Sequence, residues 1–148
     1  MTAYEDLISR KLAEATTGLR RYRPDEAADA VRRGALLVDL RPLEYRLRGG
    51  EIAGAVAVSR HVLEWRLDVT SRWRLKELAE GDLGREIILV CNEGYTSSLA
   101  ARQVRDLLGL TAVGDVEGGF AAWKAAGLPV TPRVVPVKEP DVSTGVCG

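Results

Sequence analysis

The stretch Ile87-Ile-Leu-Val-Cys-Asn-Glu-Gly-Tyr-Thr-Ser-Ser-Leu-Ala-Ala101 joins an apolar strand, a short polar loop and a helix. The apolar run ends at Cys91, the loop contains Gly94, and Ser97 opens a helix rich in alanine and leucine. A thiol therefore lies between the carboxyl end of a strand and the amino end of a helix. Free backbone N–H groups and the helix dipole stabilise a thiolate or a bound anion there. A reactive cysteine is predicted, and the alternative is an inert buried one.

Around this stretch, apolar strands alternate with amphipathic helices. This order predicts an α/β fold with a mostly parallel five-stranded sheet and helices on both faces. The carboxyl ends of parallel strands collect reacting groups, which is where Cys91 lies. The predicted strands are Leu19–Tyr22, Ala35–Leu40, Ala53–Val58, Ile87–Val90 and Ala112–Val116. The predicted helices are Tyr4–Ala15, Pro24–Arg33, Leu43–Arg48, His61–Leu67, Arg72–Ala79, Ser97–Leu108 and Phe120–Ala126.

Composition narrows the classes of function. The 148 residues suit one domain of ordinary size, and 21 basic and 21 acidic residues give no net charge. This balance argues against nucleic-acid or membrane binding, and the apolar runs are too short to span a bilayer. The first residues lack the pattern of a secretory signal, and two cysteines do not make a disulfide framework. We expect a cytoplasmic protein whose Cys91 stays reduced.

Four segments follow one another along the chain as recognisable motifs. One is the loop after Cys91, which has glycine at its fourth position. The other segments are Val38-Asp-Leu-Arg-Pro-Leu-Glu-Tyr45, Gly50-Glu-Ile-Ala-Gly-Ala55 and Asp115-Val-Glu-Gly-Gly-Phe-Ala-Ala-Trp-Lys-Ala-Ala-Gly-Leu-Pro129. Together, and in this order, these segments resemble the rhodanese-like domain family. The resemblance implies a rhodanese-like domain over residues 19–131. The helical spacing of apolar residues predicts an N-terminal helical extension over 1–18, and prolines and valines predict an extended C-terminal tail over 132–148.

The resemblance implies a sulfurtransferase in which Cys91 is the catalytic residue. Cys91 would take a sulfane sulfur from a small donor, hold it as a persulfide, and pass it to a thiol or cyanide acceptor. No metal or organic cofactor is implied, and the sequence leaves the oligomeric state open. The expected substrate-binding residues are Asn92, Glu93, Gly94, Tyr95, Thr96, Ser97 and Arg41.

Two loop residues depart from the family pattern. Thr96 stands where rhodaneses that use thiosulfate well commonly have arginine, and a hydroxyl cannot replace a guanidinium in binding a doubly charged donor. Glu93 adds a carboxylate that opposes anion binding if it points inward. We therefore expect thiosulfate to be a poor donor compared with a less charged persulfide or thiol-derived donor.

Other residues have a structural and a functional interpretation. We expect Arg41 either to approach the loop or to pair with Glu44. The sole histidine, His61, is expected to be structural, and Tyr95 either walls the entrance or covers the sheet edge. Four arginines are expected to form a solvated basic face: Arg60, Arg66, Arg72 and Arg74. In this interpretation Trp65 and Trp73 pack on the core. In the alternative interpretation the four arginines border the pocket. Trp123 and Phe120 are expected in the core.

Three functions compete. The first is the active sulfurtransferase, and the second is a rhodanese-like module that binds or regulates without rapid turnover. The third is a cysteine phosphatase or arsenate reductase, which needs an arginine six residues after the cysteine. Ser97 occupies that position and disfavours the third function. Cys147 is expected to be a tail thiol, or alternatively a second thiol that accepts sulfur from Cys91 or forms a disulfide with it.

Overall fold

A computed structural model of the chain describes residues 6–132. The Cys147 thiol and most of the predicted C-terminal tail lie outside these residues. The helices are α1 (Leu7–Thr16), α2 (Pro24–Arg32), α3 (Leu43–Gly49), α4 (Leu63–Leu67), α5 (Thr96–Leu108) and α6 (Gly119–Ala125), with a 3₁₀ turn at Arg60–Val62. The strands are β1 (Arg20–Tyr22), β2 (Leu36–Asp39), β3 (Glu51–Ile52), β4 (Ala55–Ala57), β5 (Ile87–Val90), β6 (Val113–Val116) and β7 (Val130–Thr131).

Five strands form one sheet in the order β1-β6-β5-β2-β4, and every neighbouring pair is parallel. The prediction of a mostly parallel five-stranded α/β sheet is confirmed. In the register, Leu89 of β5 is level with Val38 of β2 on one side and Asp115 of β6 on the other. The short strands β3 and β7 form a separate antiparallel pair. The carboxyl ends of β2, β5 and β6 therefore meet at one edge of the sheet.

Alternate residues of β5 enter two separate cores. Ile87 and Leu89 belong to the core on one face, with Ala100 and Val104 of α5. Their neighbours Ile88 and Val90 belong to the core on the other face, with residues of α2 and α6 that include Ala27, Phe120 and Trp123. All four residues of β5 are buried, as expected for a strand covered on both faces. The predicted core positions of Phe120 and Trp123 are confirmed.

The N-terminal helix α1 packs on α5 through arginine side chains. Arg102 Nε donates to the Ala15 carbonyl at 3.1 Å, and Arg102 also donates to the Thr17 carbonyl. Arg105 Nη1 donates to the Gly18 carbonyl at 3.0 Å. These guanidinium groups bind carbonyls that end a helix, where a positive charge is favourable. The helix is thereby attached beside the loop that precedes α5.

Two predicted elements were wrong in detail. Residues 72–79 form turns rather than a helix, because local side chains bind the backbone: Ser71 Oγ accepts from the Trp73 N–H, and Arg74 Nε donates to the Leu78 carbonyl. The predicted strand 53–58 is broken by a turn in which Gly54 has a φ of 81°, so only Ala55–Ala57 joins the large sheet.

Within residues 6–132, no helix is both long enough and apolar enough to cross a membrane.

Candidate active site

Cys91 lies directly after β5, with its side chain turned into the loop that leads to α5. Only 7% of the residue is exposed. The Gly94 N–H donates to Cys91 Sγ at 3.1 Å, and the Ser97 N–H donates to the same atom at 3.4 Å. Gly94 has a φ of 90°, a conformation that favours glycine and that turns the loop back over the sulfur. Two fixed backbone donors therefore point at the sulfur and favour its anionic form.

The Ser97 side chain connects the sulfur to a buried acid. Ser97 Oγ lies 3.3 Å from Cys91 Sγ and donates to Asp115 Oδ2 at 2.7 Å. Asp115, on β6, is fully buried. Arg21, on β1, donates from Nε to Asp115 Oδ1 at 3.0 Å and from Nη2 to Oδ2 at 3.1 Å. This hydrogen bonding to Asp115 raises the pKa of Arg21, which stays a cation.

Asp115 and Arg21 belong to the site, but the sequence did not predict them as site residues. Arg21 Nη2 also donates to the Gly94 carbonyl at 2.8 Å, so one guanidinium holds both the buried acid and the loop. The only signal in the sequence was an aspartate inside the otherwise apolar strand β6. A buried carboxylate requires a partner, and that requirement could have pointed to a polar neighbour.

The amino end of α6 fixes the other side of the loop. The Phe120 N–H donates to the Cys91 carbonyl at 2.8 Å, and the Ala121 N–H donates to the Asn92 carbonyl at 3.0 Å. Gly119 permits this approach, because a Cβ atom there would lie 2.5 Å from the Cys91 carbonyl oxygen. Gly119 of the last sequence motif thus lets the amino end of α6 hold the backbone of Cys91 and Asn92.

A cavity of about 380 Å³ opens in front of the sulfur. Its apolar wall contains Leu40, Pro42 and Tyr45. Six of the eight predicted site residues line it: Cys91, Asn92, Glu93, Tyr95, Thr96 and Arg41. The other two, Gly94 and Ser97, contact the sulfur from behind the cavity wall. The site residues proposed from sequence are therefore brought together around one sulfur atom.

Arg41 lines this cavity, but its guanidinium is bound elsewhere. Arg41 Nη2 lies 2.8 Å from Asp39 Oδ2, and both side chains are only 1% exposed. The guanidinium also donates to the Gly50 carbonyl at 2.8 Å and lies over the Phe120 ring. The expected pairing of Arg41 with Glu44 was wrong, because Arg41 binds the buried carboxylate of Asp39, two residues earlier in the chain. The charge of Arg41 is neutralised within the protein.

Arg60 also lines the cavity, as in the alternative interpretation of the sequence, rather than lying on a solvated face. It forms two hydrogen bonds of 2.9 Å from Nη1 to the Glu64 carboxylate. The other arginines bind their own segment: Arg66 donates to the Trp73 carbonyl, and Arg72 lies over the Trp73 ring. Trp65 is 44% exposed, so its expected core position was wrong.

Three further side chains define the rim and its surroundings. Glu93 is exposed at the cavity, and no hydrogen bond joins it to the sulfur. Tyr95 is 62% exposed and separates this cavity from a second one of about 300 Å³ beside α1, lined also by Leu12 and Arg21. His61 Nδ1 is 3.0 Å from Ser59 Oγ, away from the sulfur. Among residues 6–132, no three His, Cys, Asp or Glu side chains cluster closely enough to hold a metal ion.

The fold and the site together define a class of α/β domain with one cysteine in a backbone cradle at the carboxyl end of a parallel sheet. The chain belongs to the Rhodanese-like domain family, whose model matches residues 23–126. The thiosulfate sulfurtransferase GlpE of Pseudomonas savastanoi pv. phaseolicola is 28% identical over 109 residues, which are 74% of this chain and 91% of that protein.

A fungal relative and two solved structures extend the comparison. The adenylyltransferase and sulfurtransferase uba4 of Neosartorya fischeri is 38% identical over 56 residues, and this chain spans only 12% of its length. A Rhodopseudomonas palustris protein of unknown function, described as a possible tyrosine phosphatase, has a TM-score of 0.73 and 28% identity, covering 88% of this chain and 98% of that one. The polysulfide-sulfur transferase of Wolinella succinogenes, with a TM-score of 0.66, 20% identity and coverage of 84% and 86%, shows the same fold.

Proposed function

We propose that this chain is a sulfurtransferase that carries a sulfane sulfur as a persulfide on Cys91. The observation that carries the proposal is the pair of backbone N–H groups, from Gly94 and Ser97, that point at Cys91 Sγ at the end of an open cavity. Such donors stabilise the thiolate that attacks and the thiolate that leaves. The GlpE relative, a thiosulfate sulfurtransferase by name, supports this class of reaction.

The reaction consists of two displacements at sulfur. The Cys91 thiolate attacks the outer sulfur of a donor R–S–S⁻, so that the bond Cys91–S forms, the donor S–S bond breaks, and R–S⁻ leaves. A thiolate acceptor, or cyanide, then attacks the outer sulfur of the Cys91 persulfide. The Cys91 thiolate leaves with the electron pair of the broken S–S bond, and the enzyme returns to its first state. No electrons are gained or lost overall, and Cys91 must begin reduced rather than in a disulfide, which fits a reducing cytoplasm.

The charges at the cavity favour a donor with little charge next to its reacting sulfur. Arg41 is paired with Asp39, Arg60 is paired with Glu64, and Thr96 supplies only a hydroxyl. Glu93 adds a negative charge at the rim. A compact dianion such as thiosulfate therefore meets no unpaired guanidinium among these residues, whereas a persulfide, whose organic group keeps its other charges away from the sulfur, can contact Leu40, Pro42 and Tyr45.

Mass spectrometry of the intact protein tests the proposal. After incubation with glutathione persulfide, the wild type should gain one sulfur atom, about 32 Da, and Cys91→Ser should gain none. Cys147→Ser is the matched control and should gain the same mass as the wild type. Turnover with thiosulfate should be at least about tenfold slower than with glutathione persulfide. Equal or faster turnover with thiosulfate would contradict the donor preference.

A binding or regulatory module is the second candidate function. It is favoured by the pairing of Arg41 and Arg60, the two arginines that line the cavity within residues 6–132, since a family member can keep the fold without rapid turnover. The absence of a sulfur adduct with every donor would support this module and reject the enzyme. The phosphatase alternative lacks its arginine, because Ser97 stands six residues after Cys91 and binds the sulfur and Asp115.

A further inference from the structure

We propose that Asp115 is a positioning residue that turns the Ser97 hydroxyl so that its lone pair, rather than its proton, faces Cys91 Sγ. In this way Asp115 sets the pH at which the sulfur becomes a nucleophile. The inference rests on the proposed function and deepens it, because it names the group that regulates the reactive sulfur.

The hydroxyl of Ser97 has one proton for two neighbours. Its oxygen lies 2.7 Å from Asp115 Oδ2 and 3.3 Å from Cys91 Sγ. A carboxylate can only accept, and a hydrogen bond to an ionised acceptor is stronger than one to a neutral group. The proton therefore points to Asp115. The thiol must be the donor in the contact between Cys91 and Ser97, so this contact favours the protonated sulfur.

The surroundings of Asp115 keep it an acceptor. The carboxylate is fully buried, and its two oxygens receive hydrogen bonds from Arg21 Nε and Nη2. This guanidinium compensates the charge of the buried carboxylate, and the oxygen that faces Ser97 is a hydrogen-bond acceptor. The pair of Arg21 and Asp115 thus fixes the direction of one hydroxyl without contacting the sulfur.

Two opposed sets of hydrogen bonds meet at the sulfur. The N–H groups of Gly94 and Ser97 favour the thiolate, whereas the hydroxyl of Ser97 favours the thiol. The backbone donors are fixed by the loop, so the hydroxyl is the part that can turn. When its proton turns to the sulfur, the thiolate gains a third donor. A thiol held back from ionisation gives a more basic and more nucleophilic thiolate once it does ionise.

Other charged and titratable groups face the sulfur or its partners from the surrounding elements. Glu117, beyond β6, acts on Arg21 through its charge. The residues that line the cavity are Arg41 paired with Asp39, Arg60 paired with Glu64, Glu93, Tyr45 and Tyr95. No hydrogen bond joins any of these side chains to Cys91 Sγ within residues 6–132, whereas Ser97 touches it directly. Their charges act on the sulfur at longer range and are the same in every variant below, except that Glu117→Gln removes the charge of Glu117.

The pH dependence of Cys91 alkylation tests the inference. The rate with iodoacetamide, followed by mass spectrometry on the Cys91 peptide of the full chain, rises with pH to a plateau with a defined midpoint. Asp115→Ala leaves Ser97 without its acceptor, so the midpoint should fall by about one pH unit. Ser97→Ala removes the acceptor of the thiol proton, and the midpoint should fall as well. In Ser97→Ala/Asp115→Ala the midpoint should equal that of Ser97→Ala.

Two further variants separate orientation from charge. Arg21→Met/Asp115→Ala removes both charges of the pair, which avoids an uncompensated charge and keeps the net charge near the sulfur constant. Its midpoint should still fall by at least about half a pH unit. Glu117→Gln removes a nearby negative charge that does not touch Ser97, and its midpoint should stay within about 0.2 pH units of the wild type.

Several results would overturn the inference. One is an equal effect of Asp115→Ala with Ser97 present or absent, because Asp115 would then act through its charge alone. Others are a midpoint that rises or stays constant in Asp115→Ala, or one that returns to the wild-type value in Arg21→Met/Asp115→Ala. These outcomes are independent of the persulfide, since iodoacetamide needs only the thiolate. If the variants show the midpoint shifts but the wild type gains no sulfur, the proposed function is rejected and the role of Asp115 is retained.

Discussion

Arg41 and Asp39 form an ion pair in which Nη2 and Oδ2 lie 2.8 Å apart and both side chains are 1% exposed. The pair joins the end of β2 to the segment that follows it and to the Gly50 carbonyl. It therefore supports the cavity wall, and it leaves the cavity without the charge of its most buried arginine. Both consequences can be measured.

The buried pair should contribute strongly to stability when one partner is removed. Asp39→Asn leaves the Arg41 cation buried without a counter-charge, so the free energy of unfolding should fall by about 3–5 kcal/mol. Urea unfolding measures this loss. Asp29→Asn is the matched control, because Asp29 pairs with Arg32 on the exposed face of α2, and its cost should be below about 1 kcal/mol. Equal losses in the two variants would contradict the structural role of the buried pair.

Adding a guanidinium at the cavity should change the donor preference. Thr96→Arg places an unpaired cation at the lining of the cavity, so kcat/KM for thiosulfate should rise about tenfold because a guanidinium binds an oxyanion through two hydrogen bonds. Steady-state assays with thiosulfate and glutathione persulfide measure the change in each. Thr111→Arg adds the same charge before β6, at the opposite end of the sheet, and should have no such effect. A similar gain from both variants would show that net charge, and not the site, is responsible.

The conformation of Gly94 should be essential for the sulfur cradle. A Cβ atom at this residue would lie 2.7 Å from the Gly118 nitrogen, and a φ of 90° is strained for any other residue. Gly94→Ala should therefore move the Gly94 N–H away from Cys91 Sγ and slow sulfur uptake at least tenfold, as followed by the mass of the protein over time.

Gly109 offers a matched control for Gly94. It has a φ of 71° at the end of α5, and nothing lies within 4 Å of an added Cβ atom. Gly109→Ala should cost about 1 kcal/mol in the free energy of unfolding and leave the rate of sulfur uptake unchanged. If the two variants slowed sulfur uptake equally, the effect of Gly94→Ala would be one of general destabilisation.

Tyr22 should make the protein less stable at alkaline pH. Burial, together with a 2.9 Å hydrogen bond to Glu86, raises the pKa of Tyr22 to about 12. In the unfolded chain a tyrosine has a pKa of about 10, so the folded state binds more protons between these values. Tyr22 therefore makes its full contribution to the free energy of unfolding below pH 10. This contribution is lost as the pH rises towards 12, and the loss amounts to at most about 3 kcal/mol.

Tyr22→Phe isolates this contribution. At pH 7 the variant should be about 1 kcal/mol less stable than the wild type, because it lacks the hydrogen bond to Glu86. The difference should disappear or reverse near pH 12, as measured by urea unfolding at a series of pH values. Tyr45→Phe, in which an exposed tyrosine loses its hydroxyl, should show no change in the difference with pH. A constant difference for Tyr22→Phe across the same range would contradict the prediction.

The sheet was predictable because its signals are local. The apolar run of β5, buried on both faces, and the alternation of strands and helices depend on neighbours in the sequence, and they gave the correct fold. The turns at residues 72–79 were not predictable from helical spacing. Their shape depends on two hydrogen bonds that compete with a helix: Ser71 Oγ accepts from the Trp73 N–H, and Arg74 Nη1 donates to the Ser71 carbonyl.

The candidate site was predictable only where its residues are adjacent to one another in the sequence. The loop from Cys91 to Ser97 could be recognised as a unit, since its donors and its cysteine are adjacent in the sequence. Asp115 is 18 residues from Ser97, and Arg21 is 94 residues from Asp115, so the link between them depends on the sheet order. Arg41 likewise had two carboxylates nearby in sequence, and only burial selects Asp39 over Glu44.

The position of β6 between β1 and β5 has a consequence for synthesis of the protein. A ribosome makes Cys91 before it makes Asp115, Gly119 and the N–H of Phe120, all of which hold the cysteine or its partners. A nascent chain that ends before β6 lacks these groups, and β1 then lacks the only strand that it pairs with among residues 6–132. The full set of hydrogen bonds around Cys91 can therefore form only after the last large strand has been made, so the site is completed late in synthesis.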